Sequence, residues 1–77
     1  MDWRDRIHSE PKILSGKPVV RGTRLPVKFL LRLFASGWTE DRVLDNYPNL
    51  KRDDLLAVFA YAAEAAREER SLTLRQR

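Results

Sequence analysis

The chain has no cysteine, one histidine, three glycines and four prolines, and no hydrophobic run near the roughly 20 residues that span a bilayer. Without cysteine there is no disulfide staple, thiolate ligand or thiol nucleophile. His8 alone cannot assemble a metal site or a paired haem ligation within one chain, and its neighbour Ser9 cannot fold back onto it as a nucleophile served by a base. The carboxylate pairs Asp53-Asp54 and Glu68-Glu69 occupy adjacent positions, which on a helix point roughly 100° apart, so neither makes a shared acid-base site. An enzyme is therefore not expected, nor is a cofactor or a bound metal. The opening residues, Met1-Asp2-Trp3-Arg4-Asp5-Arg6, hold no apolar signal core, and the expected location is cytoplasmic.

What is present is a basic chain of 77 residues, with fifteen Lys and Arg against eleven Asp and Glu and a formal charge of +4. Such a balance favours contact with polyanions without requiring it. Residues 1 to 25 carry six cations and three acids, residues 26 to 50 three of each, and residues 51 to 77 six cations and five acids. A domain this short buries a thin core and gains most from association, so a homodimer or higher homo-oligomer, or an obligate partner, is expected.

Two of the glycines and two of the prolines fall in one stretch, Gly16-Lys17-Pro18-Val19-Val20-Arg21-Gly22-Thr23-Arg24-Leu25-Pro26-Val27. Gly16 and Gly22 suit positive φ, Pro18 and Pro26 fix φ and remove donors, and the stretch reads as a folded ribbon. Arg6-Ile7-His8 is a candidate strand, with Val19-Val20 and Thr23-Arg24-Leu25 as candidates to pair around it. From Pro26 the spacing becomes helical: Val27, Leu30, Leu31 and Phe34 make one apolar stripe, which Gly37 ends. Thr39 is a good N-cap, with Trp38 and Val43 placed for a hydrophobic staple, and Tyr47-Pro48 stops the second helix near Asn46. A third helix runs from Lys51 or Arg52 to about Glu69 or Arg70. Its six alanines between Ala57 and Ala66 suit a central strut or a dimer seam. Residues 71 to 77 alternate polar and apolar, as a short strand or a tail that orders on a partner. The expected organisation is one domain over 1–77: a β ribbon at 1–25, a three-helix core at 26–70 and a tail at 71–77.

Two helices joined through Gly37-Trp38 fit a helix-turn-helix, although any short helical corner with a glycine cap looks the same. The second helix offers Glu40, Asp41 and Asp45 against only Arg42, which makes it a poor reader of bases. Lys17, Arg21 and Arg24 on the ribbon, with Lys51 and Arg52 before the third helix, are the better candidates for DNA phosphates. The plainer reading of each lysine is a solvated surface; Arg21 and Arg24 sit on a turn organised by Gly22. Trp38 and Tyr47 are expected to pack the second helix, and Trp3 to dock on its own domain rather than on a partner.

The run from Ile13 to Val27, then Gly37-Trp38-Thr39, then Asn46-Tyr47-Pro48-Asn49-Leu50 and Asp54-Leu55, resembles in order and spacing a bacterial family known only as domain of unknown function four-three-three. The resemblance covers about residues 7 to 63. It implies a mainly α fold, a three-helix homeodomain-like or winged helix-turn-helix domain preceded by a short N-terminal β element. It also implies, for many members, a role as a type II antitoxin beside a gene for a PIN-like ribonuclease toxin. One departure stands before the third helix, where the family often has a Thr or Ser cap followed by Pro and this chain has Lys51-Arg52. In the antitoxin reading, Leu72, Leu74, Arg75 and Arg77 contact the toxin, and Lys17, Arg21, Arg24, Lys51 and Arg52 contact operator DNA for autoregulation. The alternative is a protein interaction module or scaffold without DNA binding.

Overall fold

The computed structural model describes residues 2–75, with side chains over 2–67. Three helices dominate it: α1 (Val27–Ala35), α2 (Glu40–Asn46) and α3 (Arg52–Arg75). Before them lies a two-stranded antiparallel sheet of β1 (Ile7–His8) and β2 (Val19–Val20), with Ile7 opposite Val20 and His8 opposite Val19. Single 3₁₀ turns occur at Trp3–Asp5 and Leu14–Gly16.

The ribbon closes as its glycines demand. The Thr23 amide donates to the Val20 carbonyl at 3.0 Å across a turn whose third residue, Gly22, has φ +83°, the arrangement of a type II turn. The Thr23 hydroxyl donates to the same carbonyl at 2.7 Å and accepts from the Leu25 amide at 3.0 Å. Those bonds make Thr23 a bend after the Arg21-Gly22 turn and leave Arg24-Leu25 irregular rather than the strand the sequence suggests. Of the expected pairing there remain a bridge between Val19 and Pro26, a bond from the Val20 amide to the Leu25 carbonyl and one from the Val27 amide to the Pro18 carbonyl, each bond 3.0 Å. Upstream, Leu14 and Ser15 take left-handed backbone at φ +50° and +57°, next to Gly16 at +82°.

α1 ends in a Schellman motif. The Trp38 amide bonds the Leu33 carbonyl at 3.0 Å and the Gly37 amide bonds Phe34 at 2.9 Å, with Gly37 at φ +96°. Thr39 caps α2 by accepting from the Arg42 amide at 3.1 Å. At α3 the cap comes from inside the helix: the Asp54 carboxylate reaches back to the Lys51 amide at 2.8 Å, the glutamate half of a capping box performed by an aspartate. Leu50 and Leu55 flank that start, and both are buried.

The core lies where the sheet and the three helices meet. Ile7, Val20, Val27, Leu30, Val43, Leu50, Leu55, Ala57 and Val58 form one buried cluster, which half-buried side chains such as Phe29, Phe34, Trp38, Phe59 and Tyr61 surround. α3 therefore serves as the central strut along its first half. It continues as helix to Arg75, past the end near Glu69 or Arg70 expected from sequence, and the alternating residues 71–75 are helical rather than strand-like. Each added residue of an established helix gains a hydrogen bond without a new nucleation cost, and two alternations are too few to oppose that.

Candidate functional site

The basic residues that the sequence singles out do not gather into one patch. Arg21 is held by the N-terminal segment: its Nε donates to the Asp5 carbonyl at 3.1 Å, one Nη to the Arg4 carbonyl at 3.3 Å, and the other lies 3.3 Å from His8 Nδ1. Arg52 is held by α2, donating at 2.8 Å to both Glu40 Oε1 and Asp41 Oδ1. The Asp41 hydrogen bond, more than the one to Glu40, raises the Arg52 pKa above its ordinary value. Both guanidiniums thus have partners within the fold, although each keeps N–H donors free at an exposed position.

Arg24 lies beside the turn between α2 and α3, in a shallow cleft with Asn46, Tyr47, Pro48 and Asn49, and Lys51 follows that turn directly. Lys17 stands elsewhere, beside Pro18 and the start of α1. Among the described residues, the exposed side chains of Lys17, Arg24 and Lys51 make no ion pair or hydrogen bond. The candidate toxin contacts Leu72, Leu74 and Arg75 fall on the last turns of α3, with side chains outside those described; Arg77 lies outside the described residues.

The N-terminus makes a clasp on α3 that sequence reading placed only in part. Trp3 docks on its own domain, its indole edge on the Tyr61 ring with centroids 5.0 Å apart and its Nε1 donating to Glu64 Oε2. Arg4 stacks over the same indole at 4.6 Å and reaches Glu64 at 3.4 Å. Asp2 caps that turn by accepting from the Arg4 amide, the bond that most lowers its pKa. A second tie, missed entirely, joins the sheet to the foot of α3: Arg6 pairs with Asp54 at 2.9 Å and with Asp53 at 3.6 Å. Asp54 is the one buried charged residue among those described. No signal short of the folded topology joins residues that far apart in sequence.

Between the ribbon with α1 on one side and α3 on the other runs an apolar groove of about 390 Å³. Pro18, Val27 and Leu31 form one wall and Tyr61, Ala62 and Ala66 the other, with Lys17 and Lys28 beside the first. No group of three or more His, Cys, Asp or Glu residues that could hold a metal ion occurs among the described residues. No helix there is long and apolar enough to cross a membrane.

A mainly helical domain of three helices carrying a small antiparallel sheet is the class that this architecture defines. The chain belongs to the family described as protein of unknown function (DUF433), whose pattern matches residues 7–62. It is similar to a crystal structure of a DUF433 member protein from Anabaena variabilis ATCC 29413, at 28% identity and a TM-score of 0.78, over 91% of this chain and 70% of that one. It is also 39% identical over 59 residues to the uncharacterized protein y4eO of Sinorhizobium fredii (strain NBRC 101917 / NGR234). That match takes in 77% of this chain but 27% of y4eO, so the chain spans about a quarter of its relative's length.

Proposed function

We propose that this chain is a non-enzymatic, cytoplasmic module of antitoxin type, which binds a PIN-like ribonuclease and silences it. The observation that carries the reading is the length of α3. Tyr61 is the last described aromatic of that helix packed against the core and Glu64 holds Trp3 and Arg4 just beyond it, while the helix continues to Arg75, about 20 Å past Tyr61 at 1.5 Å per residue. A helix that runs on for two further turns and more beyond Glu64 suits insertion into a partner. The sequence from Arg67 onward carries four arginines and two leucines, a composition suited to an acidic, metal-binding nuclease cleft lined with apolar surface. Deleting residues 71–77 tests it directly: binding to the cognate nuclease should weaken at least tenfold while far-UV circular dichroism still reports a folded core. Unchanged affinity would remove the α3 end from the interface.

Autoregulatory DNA binding is the second reading, in a homeodomain-like or winged arrangement acting as a homodimer on two half-sites. Arg24 and Lys51, exposed beside the turn between α2 and α3, favour it. Arg21 and Arg52 would meet phosphates with part of their donors already bonded within the fold, and the carboxylates of α2 would repel the backbone. The plain interaction module without DNA binding keeps α1 and α2 as scaffold. Retention on a DNA column that falls steeply with salt, and falls further in Arg24→Ala/Lys51→Ala, separates the two.

A further inference from the structure

We infer that the groove between α1 and α3 is a docking site for an acidic amphipathic helix of a protein partner. Its walls are apolar, and a ligand that fills it must bring apolar side chains. Ala62 and Ala66 on the α3 wall project so little that another helix can approach closely, which an extended polar ligand would not exploit.

Charge fixes the rest of the ligand's chemistry. Residues 11–39, which supply the ribbon and α1, hold six cations and no carboxylate. Within that segment Lys17 and Lys28 line the groove, and Arg32 follows Lys28 by one helical turn along α1. All three are exposed, and among the described residues none pairs with an acid. No carboxylate lines the groove. Among the described residues, Glu40 and Asp41 are engaged by Arg52, Asp53 and Asp54 by Arg6, and Glu64 by Trp3 and Arg4. A partner helix that seats leucine-like side chains between Leu31 and Ala66 thus gains most when its flank carries glutamate or aspartate toward Lys17 and Lys28. DNA would meet cations but bury its phosphates against an apolar floor, and an anionic lipid surface would leave the concavity unfilled. The assignment moves Lys17 from the DNA candidates to a protein interface. It holds whether or not the partner is a ribonuclease, and it concerns a surface distinct from the end of α3.

The test is an amide-resolved NMR titration of the full chain with a synthetic amphipathic helical peptide bearing leucines on one face and glutamates beside them. Saturable shifts are expected at Lys17, Val27, Lys28, Leu31, Ala62 and Ala66. Lys17→Glu/Lys28→Glu, both at exposed positions, should weaken binding about tenfold or more. Arg42→Glu on α2 should leave it unchanged. A matching peptide with lysines in place of glutamates should bind far less. The inference is overturned by shifts confined to another face, by equal affinity for the lysine peptide, by absence of binding, or by a stronger response to a DNA duplex or to phosphatidylglycerol vesicles. Loss of nuclease binding on deleting 71–77 would not bear on it, and the two proposals therefore fail separately.

Discussion

Arg21 donates to the Arg4 and Asp5 carbonyls, and through them one guanidinium ties the ribbon's second turn to the N-terminal segment. A cation on a glycine turn reads from sequence as a phosphate contact; the carbonyls that claim it lie well upstream and no local pattern announces them. Asp54 makes the same point in reverse. From sequence it is a first-turn acid near the helix dipole, whereas in the fold it closes the α3 cap and neutralises Arg6, 48 positions away. Asp54→Ala should cost about 2 kcal/mol, since the helix-terminal amide loses its acceptor and the Arg6 guanidinium keeps only the more distant, exposed Asp53. A domain of this size holds on the order of 4–12 kcal/mol in total, so chemical denaturation reads that loss easily. Unchanged stability would show that water replaces the carboxylate. Ser15, at φ +57° and exposed, should respond oppositely: Ser15→Gly relieves left-handed strain and raises stability by up to about 1 kcal/mol. A drop in the denaturation midpoint would contradict the strain argument.

At the scale of elements, legibility follows how local the signals are. α1 and α2 could be read nearly to the residue, because Gly37, Thr39 and Tyr47-Pro48 mark their ends through bonds made within a few positions. Gly37→Ala tests this cleanly. A Cβ there meets nothing within 4 Å, so the whole cost comes from the +96° φ and should be about 1–2 kcal/mol. A neutral result would mean that the Schellman turn can reopen without loss. Lys51 brings no side-chain acceptor to the start of α3, and the Asp54 carboxylate satisfies the Lys51 amide instead. Two segments differ from a strand reading: Thr23-Arg24-Leu25 has strand-like residues but a hydroxyl that bends it at Thr23, and residues 71–75 alternate as a strand would but continue the helix.

For the molecule as a whole, the sequence conveyed a basic N-terminal third but not which charges remain available. Folding engages Arg4, Arg6, Arg21 and Arg52 with internal partners and leaves Lys12, Lys17, Arg24, Lys28, Arg32, Arg42 and Lys51 exposed without ion pairs among the described residues. Lys17 and Lys28 border an apolar groove, Arg24 and Lys51 lie by the turn before α3, and α3 continues as helix to Arg75. The most direct measurement is co-expression of the tagged chain with the product of the adjacent gene, followed by a ribonuclease assay of that product alone and in complex. A stoichiometric complex in which the nuclease is silent is the predicted result. An adjacent product that does not bind, or that binds and cleaves RNA at its free rate, would contradict the account.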